Sequence, residues 1–141
     1  MTAWHQPSAR ERKAILERVR SIAIVGVSSK PSRPSFFVAT YLLSSSCDYE
    51  VWFVNPVETE VLGHRVYPSL ADLPVVPDLV DVFRKPESVP PIAEEAVRIG
   101  ARFFWMQEGV ESDRAREILD AAGIPWVMDR CVKKELEKRN K

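Results

Sequence analysis

The strongest constraint on this chain is an alternation that runs its whole length: short, mostly apolar runs separated by segments with helical spacing. The runs are residues 22–25 (Ile-Ala-Ile-Val), 51–54 (Val-Trp-Phe-Val), 79–83, 101–106 and 125–128. The first is apolar at successive positions rather than at every second one, while Asp81 and Arg102 interrupt the third and fourth. That pattern suits strands buried on both faces, as in a parallel sheet.

The segments between them carry helix signals. Ser8 and Glu11 form a capping box ahead of Ile15, Leu16 and Val19. Ser35 is placed to cap a helix in which Phe37, Tyr41 and Leu42 share a face. Residues 86–99 put Val89, Ile92, Ala93, Ala96 and Val97 inward, with Pro90 and Pro91 in the first turn and Gly100 as a left-handed stop. Ser112 caps a helix through Ala115, Ile118, Leu119 and Ala122, ended by Gly123. Residues 131–138 make the last helix. Between the second and third runs, residues 65–67 pair only briefly. Strands joined by helices need crossover connections, which are right-handed. The prediction is an α/β domain spanning residues 1–141, with a mostly parallel sheet of about five strands and helices on both faces.

Charge and composition narrow the function. Twenty basic and 20 acidic side chains cancel, which leaves no footprint for nucleic acid or an anionic membrane. No apolar run approaches the roughly 20 residues of a membrane span, and residues 1–10 lack a signal-peptide core. Cys47 and Cys131 stand far apart, which suits a reduced, cytoplasmic setting. His5 and His64 are isolated, so no metal site is expected.

In a parallel sheet of this kind, ligands gather where the strands end. After the first run come Gly26, Val27, Ser28, Ser29, Lys30, Pro31, Ser32, Arg33 and Pro34. After the second come Asn55 and Pro56, after the third Arg84 and Lys85, after the fourth Gln107 and Glu108, and after the last Asp129, Arg130 and Cys131. Lys30, Arg33, Arg84, Lys85 and Arg130 would therefore converge on one edge of a neutral chain. A glycine and two serines before a helix offer backbone donors, and the cations suit a ligand with several phosphate charges. The dinucleotide fingerprint is incomplete. Only the first glycine of G-x-G-x-x-G is present, and Asn55 stands where an acid would bind a ribose diol. A Walker loop is absent. An NADP-linked reductase is the enzymatic alternative, since Arg33 would suit a 2′-phosphate, but no catalytic dyad accompanies it.

The series Ile22 to Ser35 (IAIVGVSSKPSRPS), Val54-Asn55-Pro56, Leu62-Gly63, Tyr67-Pro68-Ser69-Leu70, Val80 to Arg84, Trp105-Met106-Gln107 and Val127 to Cys131 resembles the small stand-alone CoA-binding domain proteins. These in turn resemble the N-terminal CoA-binding domain of the succinyl-CoA synthetase alpha subunit. The resemblance covers nearly the whole chain. It implies a Rossmann-like sheet with coenzyme A across its carboxyl edge. Gly26, Val27 and Ser28 would approach the phosphates through backbone groups. Pro31 and Pro34 frame the same loop, and Lys30 and Arg33 would face the diphosphate or 3′-phosphate. Asn55 and Pro56 would border the adenosine. Phe83 and Arg84 would line the next wall, with Met106 and Gln107 on the pantetheine side. Synthetase subunits often carry a lysine shortly after the second-strand proline. Here Val57 and Glu58 follow Pro56, so Arg33 or Arg84 would have to substitute. The expectation is a non-catalytic CoA or acyl-CoA binding protein, or a subunit that senses acyl-CoA for an unidentified protein partner. Cys131 is either a half-buried helix-start thiol or a partner for the CoA thiol. Trp52, Trp105 and Trp126 read as core residues.

Overall fold

The computed structural model describes residues 5–44 and 47–139. Helix α1 (Ala9–Arg18) leads into β1 (Ser21–Val25), followed by α2 (Pro34–Leu42) and β2 (Glu50–Val54). A hairpin of β3 (Glu60–Val61) and β4 (His64–Tyr67) comes next, then β5 (Leu79–Val82) and α3 (Val89–Ile99). The chain closes with β6 (Phe103–Met106), α4 (Asp113–Ala122), β7 (Trp126–Val127) and α5 (Val132–Arg139). Among the described residues no helix is long and apolar enough to cross a membrane.

The strands form one sheet of order β3-β4-β2-β1-β5-β6-β7. All pairings are parallel except β3 with β4. The parallel strands taken in chain order therefore lie 3-2-1-4-5-6, the Rossmann arrangement, and the direction of winding reverses between β1 and β5. The sheet has seven strands rather than about five. Residues 65–67 do pair briefly: Val66 and Tyr67 of β4 pair with Phe53 and Val54 of β2, and β3 folds back on β4. The two-residue loop Leu62-Gly63 has φ of 52° and 76°, the backbone twist that a tight hairpin needs. His64 opens β4 and packs edge-on to Phe53.

Strand β1 shows why the sheet is the core. All five of its residues are buried. Ile22 and Ile24 point into a cluster with Leu16, Val38, Leu42, Trp105 and Leu136, on the side of α1, α2 and α5. Ala23 and Val25 point the other way, among Val82, Ala93, Phe104 and Leu119, under α3 and α4. Each fully buried large aliphatic side chain is worth about 1.5–3 kcal/mol.

Helix ends follow local chemistry. The Ser8–Glu11 capping box forms in both directions, which lowers the Glu11 carboxyl pKa chiefly through the Ser8 backbone bond. Gly100 and Gly123 adopt left-handed caps, and Ser112 accepts from the Ala115 N–H. Ser35 is not a cap. Arg33 holds that position with Pro34 after it, and Ser35 is buried within the first turn. On the same helix Ser35, Val38, Ala39 and Leu42 face inward, while Phe37 remains 55% exposed. Helix α1 is fastened to α5 by a buried ion pair, with Arg12 Nε 2.7 Å from Glu135 Oε1.

Candidate functional site

The carboxyl ends of β1, β5 and β6 open into a cavity of about 780 Å³, closed on one side by α2 and on another by the start of α5. Its first wall is the β1–α2 loop. Gly26 has φ of +91°, and its N–H donates to the Val54 carbonyl at 2.8 Å, extending the sheet. Beyond it the loop is internally bonded. Ser28 N–H donates to Ser35 Oγ at 3.0 Å, and Lys30 N–H to Ser28 Oγ at 3.1 Å. Between them Ser29 N–H donates to Glu58 Oε2 at 2.5 Å.

Asn55 ties the end of β2 to this loop. Its Nδ2 donates to the Val27 carbonyl at 2.8 Å, and its Oδ1 accepts from the Val57 and Glu58 N–H groups. At the end of β6, Gln107 is buried, and its Oε1 accepts a long bond from Val132 N–H at 3.5 Å. That contact joins the cavity floor to the start of α5.

The cavity has two electrostatic halves. Lys30, Arg33, Arg84 and Lys85 all line it, and among the described residues none of the four forms an ion pair. On the α5 side the cations are already matched. Lys134 is held by both oxygens of Glu108 at 2.9 and 3.0 Å, which raises its ammonium pKa, and Lys133 pairs with Glu137 at 3.0 Å. The free positive charge therefore sits at the β1 and β5 exits. The α5 half is neutral and carries Phe37, Val110 and Cys131.

Beneath the floor lies Asp81. In register it stands between Ile24 and Trp105, each two residues before a wall residue, Gly26 and Gln107, just as Asp81 is two before Phe83. It thus occupies the layer below the cavity. Its carboxyl group is fully buried and has no hydrogen-bond partner among the described residues, and burial pushes its pKa well above the usual range. Among the described residues no group of three or more His, Cys, Asp or Glu is placed to hold a metal ion.

Of the residues singled out in the sequence, Gly26, Ser28, Lys30, Arg33, Pro34, Phe83, Arg84 and Gln107 come together in this wall. Val27, expected to act through its backbone, is outside the lining; its side chain is buried in the core and its carbonyl accepts from Asn55 Nδ2. Met106 is outside it too, because strand alternation turns it to the opposite face while Gln107 takes the cavity face. Pro31 is exposed outside the lining, and Asn55 acts through its loop bonds. Pro56 lines a separate cavity of about 200 Å³ that shares Arg84. Arg130 turns away from the cationic group, toward a neighbouring cavity that includes Gln6 and Asp129. Trp105 is fully buried and donates to the Arg130 carbonyl, so it offers no stacking face. While Glu108 and Cys131, named in the sequence as strand-end residues, do line the cavity, sequence reasoning left Phe37, Val110, Lys133, Lys134 and Glu137 out of the site. Their common signal is adjacency to a strand end or to a helix start facing one.

Comparison with known proteins places these features in a family. A model described as "CoA binding domain" matches residues 20–137. An uncharacterized protein of Bacillus subtilis (strain 168), YneT, is 38% identical over 127 residues, covering 90% of this chain and 93% of that protein. A hypothetical protein from Pyrococcus horikoshii OT3, of known structure, is 35% identical with a TM-score of 0.90 and full coverage of both chains. A dinucleotide forming acetyl-coenzyme A synthetase 1 from Ca. Korarchaeum cryptofilum shares the fold, at 22% identity and a TM-score of 0.65, over 75% of this chain and 25% of its own.

Proposed function

Since this chain belongs to the CoA-binding domain family, we propose that it binds coenzyme A or an acyl-CoA in the cavity at the β1, β5 and β6 exits, and acts as a binding protein without turnover of its own. The observation that carries this reading is the group of four cations in one cavity wall that have no ion-pair partners among the described residues. Unpaired Lys30, Arg33, Arg84 and Lys85 repel one another and gain most from a ligand with several phosphate charges. The wall also sets a direction for the ligand. Phosphates belong at the free cations, and the neutral pantetheine arm then runs past Gln107 and Val110 toward Cys131. A volume of about 780 Å³ lies within the usual range for small-molecule and cofactor sites. In this reading the chain is a single cytoplasmic domain.

Thermal unfolding with added CoA tests the proposal. A ligand at 100 times its Kd adds about 2.7 kcal/mol to native-state stability, so the Tm should rise with CoA concentration. A Tm unmoved by saturating CoA would overturn it.

A further inference from the structure

We propose that Glu58 is an internal anion that competes with the ligand's phosphate for the β1–α2 loop, and so sets how tightly this chain holds CoA. The inference rests on the CoA reading and deepens it.

Three successive N–H groups of the loop, those of Ser28, Ser29 and Lys30, are already bonded. Two of the acceptors are hydroxyls that belong to the loop and the helix following it. The third is different in kind. Ser29 N–H meets a carboxylate brought in from beyond β2. Asn55 delivers it: its side chain accepts from the Val57 and Glu58 N–H groups and donates to the Val27 carbonyl, so the turn carrying Glu58 is laced to the loop it occupies.

Glu58 also makes no ion pair among the described residues, although Lys30 follows directly after Ser29. Its charge is satisfied by a backbone donor, which is the kind of group a phosphate takes at such a loop. A carboxylate and a phosphate present similar acceptor oxygens with the same sign of charge. One N–H cannot serve both, and two anions at that spacing repel. Ser29 lies between the lining residues Ser28 and Lys30 without lining the cavity itself, so a phosphate drawn to Lys30 and Arg33 gains the Ser29 N–H only by displacing Glu58. The carboxylate has somewhere to go, because it rides on a surface turn whose next residue back, Val57, is 83% exposed.

The test is isothermal titration of CoA into the full-length protein and its Glu58→Gln and Glu58→Ala variants. The Ser29 amide proton, followed by NMR, reports whether the contact is lost. Removing the competitor should tighten CoA binding roughly tenfold in Glu58→Ala, with Glu58→Gln intermediate because a neutral amide is a weaker acceptor. Equal affinities in all three proteins would overturn the inference and leave the CoA reading standing. Weaker binding by Glu58→Ala would also overturn it, since Glu58 would then be preforming the loop rather than blocking it. Binding by none of the three would remove the CoA reading and this inference with it.

Discussion

Gly26 lies directly against the carbonyl of Phe83: a Cβ added to Gly26 would stand 2.5 Å from that oxygen and 2.9 Å from the Arg84 Cδ. The exits of β1 and β5 can approach this closely only without a side chain at position 26. The φ of +91° adds a second requirement, since L side chains avoid that region. Gly26→Ala is expected to cost about 2 kcal/mol or more and to shift Arg84. Urea unfolding checks the first effect and CoA affinity the second. A variant with unchanged urea midpoint and unchanged affinity would contradict the packing described.

The four unpaired cations give a graded expectation. Charge-assisted hydrogen bonds to a phosphate are worth about 1.5–3 kcal/mol each. Arg33→Ala and Arg84→Ala should therefore weaken CoA binding by roughly ten- to a hundredfold. Lys134→Ala should do much less, because Glu108 already holds that ammonium. The loss should shrink as salt is raised. Titrations at two ionic strengths check this, and an equal effect at Lys134 and Arg84 would count against the two-sided cavity.

Asp81 makes stability fall with pH. Its folded pKa is raised by burial, while in the unfolded chain it titrates near the ordinary carboxyl value of about 3.9. Between those values the native state binds one more proton than the unfolded state. Stability is then lost as pH rises through that window. Asp81→Asn removes the titration and should flatten this part of the profile. Urea midpoints from about pH 4 to 9 measure it. Parallel profiles for the two proteins would show that Asp81 is not the source.

The Arg12–Glu135 pair should behave as a buried ion pair does. The two side chains are only 9% and 7% exposed, and Arg12 Nη1 also donates to the Pro7 carbonyl. Arg12→Ala strands the Glu135 charge and should cost about 3–5 kcal/mol. A double replacement, Arg12→Met with Glu135→Leu, should cost far less. Chemical denaturation of the three proteins settles the comparison. A double variant that costs as much as Arg12→Ala would contradict direct coupling.

Much of the fold was legible because its signals are local. The capping box at Ser8 and Glu11, the stops at Gly100 and Gly123, and the run at residues 22–25 each follow from a few neighbouring side chains. The β3–β4 hairpin was only partly visible, since Glu60, His64 and Arg65 are exposed on an edge and break the apolar run. Strand parity decided the errors at the site. Position alone put Met106 and Gln107 together, whereas alternation sends them to opposite faces. Phe37 has core spacing in sequence but sits where α2 borders the cavity instead of the sheet. The α5 wall read only as the last helix, because nothing in residues 133–137 announces which strand end they face. Glu58 stood out only as a departure from the synthetase lysine. Its contact with Ser29 depends on the fold bringing the β1 and β2 exits together.

The most direct test of the central claim is isothermal titration of the purified protein with CoA, dephospho-CoA, NAD and NADP side by side. The cavity and its cations predict one saturable CoA site per chain, weaker binding of dephospho-CoA, and little or no heat with NAD or NADP. Preference for NADP over CoA, or no binding of CoA at all, would contradict the account.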